Sequence, residues 1–328
     1  MAFLPFDEYQ KTVNSEYYSL KGSRIYSDFS TFALGNGKLA IADAWGFYKF
    51  AGKTSGNLRV CEFGVGAGHF ARAFLDELKR LDEEKKTTVA SRVTYSLVDF
   101  SFKMLEDAKK NLAGYAIETV CSDALSFRPK EKFHCVRANE LLSDLPSKLL
   151  FRKGKETFEI GFLGKDMASE EFLNAPKEVG VFPQGYAFPL NTGAIEFLKR
   201  LQSLLVSGGY ADIFDYGFAD FQEVEEEPRV VWNENVSRLY GEQVTVDINF
   251  AYLKSVFPKM KVEPQKEYAE RALGKKLFQA QLEGQICYLN QGELKKMKGK
   301  LKAEGYSEDF IKGEFVEESD FWHARIEA

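Results

Sequence analysis

The residues best placed to do chemistry in this sequence are carboxylates that stand just after apolar runs. Glu62 precedes a turn, Glu62-Phe63-Gly64-Val65-Gly66-Ala67-Gly68, whose glycines fall at alternate positions. Such glycines let the chain turn sharply and let a ligand approach the main chain. The N–H groups that open the following helix are then free to face that ligand. The spacing matches neither G-x-G-x-x-G nor the phosphate loop, and Glu62 would repel a pyrophosphate. The turn suits a cation, such as a sulfonium that carries an amino group; an ordinary strand-to-helix turn is the plain alternative. Asp99 ends the next apolar run, where an acidic residue accepts both hydroxyl protons of a ribose or is purely structural. Asp123 ends a third run; it can accept from an adenine amino group or simply form a turn. Asn139 and Glu140 follow a fourth run, at the sheet edge where open α/β folds bind ligands. They are the first candidates for contact with the reacting groups, and helix capping is the competing explanation.

These residues need strands that end together. The apolar runs predict strands at 58–64, 93–99, 116–121, 133–138 and 210–218, and a last one at 321–326. Helices are expected over 6–18, 38–50, 68–81, 102–112, 192–206 and 293–304, with another ending near Phe257-Pro258. Ser101 is placed to cap the 102–112 helix, and Ser207-Gly208-Gly209 to end the 192–206 helix. Strands alternating with helices imply a mainly parallel sheet covered on both faces. The stretch Phe151 to Leu163 alternates and predicts a hairpin around Lys153-Gly154-Lys155. The irregular remainder through Pro176, Pro183 and Pro189 is long for a bare connection and reads as an insertion over the site. Glu223–Pro228 reads as an exposed acidic loop, and Gln285–Leu289 as a strand. Ser27-Asp28 either caps the helix at 38–50 or belongs to a lid over the site. The expected organisation is an N-terminal helical and lid segment (1–57), a cofactor half (58–147), an insertion (148–190), and the second half of the sheet with a C-terminal extension (191–328).

The chain has 328 residues, 45% hydrophobic and 28% charged, which is ordinary for a globular protein. A net charge of −5 argues against general nucleic-acid binding. Four separated cysteines read as buried free thiols of a reducing compartment. With three histidines and no paired C-x-x-C, a zinc site is not expected. The start of the chain does not read as a signal peptide and no apolar run is long enough to span a membrane, so a cytoplasmic protein is expected.

The turn at Glu62 resembles motif I of the class I S-adenosylmethionine-dependent methyltransferases. Its neighbours resemble one family, the MidA-like methyltransferases, which include the mitochondrial complex I assembly methyltransferase. Glu16-Tyr17-Tyr18, Ser27-Asp28-Phe29-Ser30-Thr31, the glycine turn, Asn139-Glu140-Leu141-Leu142-Ser143-Asp144-Leu145-Pro146 and Asp215-Tyr216-Gly217 follow the family's order over about residues 15–257. The sequence departs at Ser143, where the family has Asp, and at Asp247, where it has His; Asp99 replaces a common Glu. The resemblance implies an α/β, Rossmann-like fold that binds S-adenosylmethionine through Glu62, Gly64, Gly66, Gly68, Asp99, Phe100, Asp123, Ala124 and Asn139. It implies Glu140, Asn139 and Asp215 at the chemistry, and Asp28, Asp144 and Tyr216 at the acceptor. Methylation of an arginine on a partner protein is what the family suggests. A guanidinium could be gripped by Glu140, Asp144 and Asp215 through bidentate hydrogen bonds. A small-molecule methyltransferase and a non-catalytic partner-binding protein are the alternatives. No metal is needed for such an in-line transfer, and the oligomeric state is left open.

Overall fold

Leu58–Phe63 forms a strand, β1, in which every residue but Arg59 is buried, as a strand covered on both faces must be. The computed structural model describes residues 3–153, 155–163, 166–174, 187–220, 236–282, 285–316 and 320–328. Beside β1 lie β2 (Val93–Asp99), β3 (Ile117–Cys121), β4 (Phe133–Asn139) and β5 (Leu205–Phe218), all parallel to it. The sheet also holds β6 (Lys261–Pro264) and β7 (Phe321–Glu327), in the order β3-β2-β1-β4-β5-β7-β6, with the short strand Ile248–Asn249 parallel to the end of β5. Only β7 runs against the rest, paired antiparallel to both β5 and β6. Strand order reverses between β1 and β4, which opens a crevice at their carboxyl ends.

Helices cover both faces, as the alternation of elements requires. On one side, α2 (Lys38–Ala51), α3 (His69–Lys85), α4 (Phe102–Asn111) and α7 (Gln265–Leu273) share a core with β1 and β2. In α3 the buried Phe70, Phe74 and Leu78 recur every four residues on one stripe. On the other side, α5 (Thr192–Leu204) and α6 (Phe250–Val256) pack on β4 and β5 through Phe197, Leu201, Phe250 and Leu253. Ser101 caps α4 as expected, accepting from Met104 N.

The N-terminal helix α1 (Phe6–Lys21) packs against the hairpin Lys148–Lys153/Glu156–Leu163 and the strand Gln243–Val246. The hairpin is the one expected, although it starts three residues earlier. Its turn residue Gly154, the stretch with Pro176 and Pro183, and the acidic loop Glu223–Pro228 lie outside the described residues.

Three expectations need correction. Helix α5 ends at Leu204, because Leu205 is already extended and pairs with Phe133 in the core. Gly208 and Gly209 therefore sit in a register break of β5 instead of capping a helix. Gly37, not Ser27 or Asp28, is the residue that precedes α2. Cys61, Cys135 and Cys287 are buried thiols, but Cys121 is exposed at the end of the edge strand β3. Local pattern also missed the strands at 261–264 and 277–282 and helix α7.

Candidate functional site

The carboxyl ends of the strands, with the N-terminal segment folded over them, enclose a cavity of about 1030 Å³. Glu62, Gly64, Gly66, Asp99, Phe100, Asp123, Ala124, Asn139, Glu140, Asp144 and Tyr216 all line it. Among the described residues, no group of three or more His, Cys, Asp or Glu could hold a metal ion.

The glycine turn is built by left-handed backbone at Gly64 (φ 63°), Gly66 (φ 54°) and Gly68 (φ 79°). The reason for glycine differs at each. A Cβ on Gly66 would collide with the Tyr26 hydroxyl, whereas one on Gly68 would press on Ala108 and Leu112 of α4. Gly68 is thus a helix-packing glycine and does not line the cavity. The N–H groups of the turn itself, ahead of the helix that opens at His69, are engaged. Gly66 N–H donates to Asp99 Oδ2 (3.1 Å), and Ala67 N–H donates to the Tyr26 hydroxyl (3.0 Å). The turn therefore admits a ligand by its lack of side chains more than by donating to it.

Asp99 is held at both oxygens, since Ser101 N–H donates to Oδ1 at 2.8 Å. Burial still pushes its carboxyl up to about 6. Glu62 accepts from the Tyr95 hydroxyl, and burial lifts it to about 7. Asp123 accepts from Leu125 N–H at 2.7 Å, so it does form a turn while lining the cavity.

Glu140 occupies a left-handed backbone (φ 50°), which non-glycine residues adopt only under constraint. Its N–H donates to Phe214 O at 2.7 Å, which fixes that turn. Its Oε1 accepts from Thr31 Oγ1 (2.8 Å), Phe32 N (3.1 Å) and Asn139 Nδ2 (3.1 Å). Burial nevertheless raises the carboxyl to about 7. Asn139 and Glu140 cap no helix. Asp144 accepts from Tyr18 and, at 2.6 Å, from Gln243 Nε2, and burial raises it to about 7 as well.

Besides Gly68, two predicted residues do not reach the cavity. Asp215 is fully buried and accepts from Ser143 N (3.1 Å) and Tyr216 N (3.0 Å), so it pins the turn that carries Asp144. Asp28 is tied to Lys21 (2.6 Å) and Tyr17 (2.7 Å), away from the lining. Conversely, Tyr26, Phe29, Tyr240 and Gln243 line the cavity without having been singled out. Nothing local marks Tyr26, Tyr240 or Gln243, and Phe29 stands out only as a member of the Ser27–Thr31 element; they arrive with the segments that fold across the sheet edge.

Strand order, an acid before the glycine turn at β1 and a second acid closing β2 define a Rossmann-like, class I methyltransferase domain. The chain belongs to the family described as "Putative S-adenosyl-L-methionine-dependent methyltransferase", whose sequence pattern matches residues 41–259. Its activity is S-adenosylmethionine-dependent methyl transfer and its cofactor S-adenosylmethionine. The fold is similar to that of an uncharacterised protein from Burkholderia thailandensis, at 17% identity and a TM-score of 0.64 over 99% of this chain and 87% of that one. It is also similar to that of a protein from Burkholderia thailandensis described as a likely methyl transferase and bound to S-adenosyl-homocysteine, at 17% identity and a TM-score of 0.61 over 99% of this chain and 88% of that one. No curated protein matches the sequence.

The residues present fit the cofactor. Gly64 and Gly66 leave the wall bare, and Asn139 Oδ1 is buried without a hydrogen-bond partner, an acceptor that a ligand's N–H would satisfy. Glu62 and Asn139 would hold the amino-acid end, Asp99 the ribose, and Phe100 with Asp123 and Ala124 the adenine.

Proposed function

We propose that this protein transfers the methyl group to a nitrogen of a cationic acceptor, a MidA-like activity whose fitting substrate is an arginine side chain of a partner protein. The observation that carries this reading is the pair Glu140 and Asp144, two carboxylates on the cavity wall beyond those assigned to the cofactor. When bound, the cofactor supplies an electrophilic methyl carbon. The protein's part is to hold the acceptor nitrogen in line with it and close to it. Ionised Glu140 and Asp144 would accept N–H bonds from a guanidinium and orient it, and one of them would take the proton that the methylated nitrogen gives up. The aromatic rings of Tyr18, Tyr216 and Tyr240 would enclose its stem and exclude water. Tyr18 and Gln243 hold Asp144 in place, as Thr31 and Phe32 hold Glu140.

A second reading, a small-molecule amine as acceptor, draws on the cavity itself. At about 1030 Å³ it matches the upper end of sites that enclose a whole small ligand, roughly 300–1,000 Å³. Labelled-methyl transfer into a cell lysate, separated into protein and small-molecule fractions, tests both. Label in protein that is lost from an arginine-free peptide set supports the first reading. Label confined to small molecules supports the second.

A further inference from the structure

Behind the cavity wall at Glu62 runs a buried polar chain with no role in the reading above. Glu62 Oε2 accepts from the Tyr95 hydroxyl on β2. That hydroxyl in turn accepts from Arg137 Nη1 on β4 at 2.6 Å. Arg137 Nη2 lies 2.5 Å from Asp43 Oδ2 on α2, and both side chains are fully buried. Tyr268 on α7 donates to Asp43 Oδ1 at 3.1 Å, and the guanidinium lies over the Phe74 ring at 3.8 Å. Beyond Tyr268 a second cluster closes on itself: Arg325 grips Asp212, Arg271 grips Glu263, and His323 bridges the two carboxylates.

The inner cluster does not close. Two carboxylates, Glu62 and Asp43, face one guanidinium. An unmatched charge in a protein interior carries a desolvation penalty of several kcal/mol, on the order of that for any buried ion. Either a proton or a cation from the cavity must make up the balance. The other titratable groups near Glu62 are the Cys61 thiol and the Tyr26 phenol; burial raises both, so neither supplies charge near neutrality. Burial also raises Glu62 to about 7 and Asp43 to about 6, so a proton held here is exchangeable near neutral pH.

We propose that Asp43, Arg137 and Tyr95 are positioning residues that make Glu62 a proton-for-cation exchange site, where the α-ammonium of the cofactor replaces the proton that balances the cluster. The inference rests on the S-adenosylmethionine assignment and goes beyond it. The exchange balances. The Glu62 O–H bond breaks, the proton passes to solvent, and the ammonium arrives with its own protons. The cluster's net charge is zero before and after. Arg137 is the fixed positive member, clamped by Asp43 and aimed at Glu62 through the Tyr95 hydroxyl.

Calorimetry of S-adenosylmethionine binding to the full chain tests this, run in two buffers of different ionisation enthalpy at about pH 6.5 and about pH 8.5. The wild type should release up to about one proton per cofactor at the lower pH; at the higher it should release none and take up most of one, because the free α-amino group, ordinarily near about 8, is then largely neutral. Tyr95→Phe keeps the ring and removes the donor, so Glu62 holds its proton more tightly. Affinity should drop about tenfold at the lower pH and by less than about threefold at the higher. Asp43→Asn leaves Glu62 and Arg137 as a matched pair, so the release at the lower pH should vanish. 5′-Methylthioadenosine, which lacks the amino-acid end, should bind without releasing a proton. Thermal unfolding of each variant checks the fold, and Tyr95→Phe decides should Asp43→Asn not fold. Cofactor binding without proton release by the wild type, or an equal Tyr95→Phe loss at both pH values, overturns the exchange alone. A wild type that binds no S-adenosylmethionine overturns the cofactor assignment and the exchange with it.

Discussion

At the scale of single residues, Glu140 is under more constraint than its neighbours. It combines a left-handed backbone, three donors on one oxygen and a carboxyl raised by burial to about 7. Asn139 is one of those donors, and a glutamine oxygen can still accept its N–H, so the cofactor should depend little on the charge of Glu140. Glu140→Gln should leave S-adenosylmethionine affinity within about threefold and cut methyl transfer about tenfold or more, read by calorimetry beside a labelled-methyl assay. An ionised Glu140 is the gripping form, so transfer should rise with pH through about 7. Measured at saturating cofactor, with Glu62 already ionised, the limb that remains in Glu140→Gln belongs to Asp144. Affinity that collapses along with activity would make Glu140 a cofactor ligand instead. Asp99 poses a different question, because it both faces the cavity and pins Gly66 and Ser101. Asp99→Ala should weaken the cofactor by roughly 1.5–3 kcal/mol, the scale of hydrogen bonds to a charged acceptor. An analogue without ribose hydroxyls should lose less, only the share due to a loosened turn; equal losses would leave Asp99 as a pin alone. These carboxylates were legible in the sequence because each ends an apolar run. Tyr26 and Gln243 were not, since their places depend on how distant segments fold over the sheet.

At the scale of elements, glycines show what a turn demands. Gly66 is legible as a close-approach position, yet the group nearest to it is Tyr26 of the N-terminal segment. Gly66→Val should therefore abolish cofactor binding in two ways, by filling the wall and by dislodging Tyr26. Circular dichroism should still report a folded protein. Gly217 is less forgiving. It ends β5 beside Ile248, and a Cβ there would collide with the Ile248 backbone, which cannot step aside as a side chain would. Gly217→Ala should cost about 1–3 kcal/mol of stability, the usual penalty of overpacking. Urea unfolding reads that cost, and an unchanged midpoint would show that the junction of β5 with Ile248–Asn249 yields. The register break at Gly208–Gly209 was misread for a related reason. A glycine pair after a helical pattern looks like a helix end, but the pairing of Leu205 with Phe133 is a tertiary demand that no local pattern contains.

At the scale of the molecule, the parallel half of the sheet was readable because each strand is followed by a helix. The reversed strand β7 lies more than 100 residues from its partner β5, and no short-range signal pairs them. Its insertion creates the outer charge cluster. Asp212 of β5 is fully buried and is matched by His323 (2.8 Å) and Arg325 (2.6 Å) of β7, while Glu263 of β6 takes the other His323 nitrogen (3.0 Å). Asp212 and Glu263 together raise the His323 imidazole above its ordinary value despite its burial. A group whose folded value is raised adds stability in full below its unfolded value, and that stability is lost as pH rises through the folded one. In the wild type, Arg325 keeps Asp212 matched after His323 loses its proton. Arg325→Met removes that safeguard and keeps much of the packing over Tyr210, where the guanidinium sits 4.4 Å from the ring centre. The variant should therefore lose stability more steeply than the wild type as pH rises above the ordinary imidazole value of about 6.5, because a buried carboxylate without a partner is strongly destabilising. Urea unfolding across that range measures the difference. Parallel curves for the two proteins would mean that His323 does not hold β7 to β5 by charge, and that the strand stays in place by its backbone ladder and by the burial of Phe321, Ala324 and Ile326.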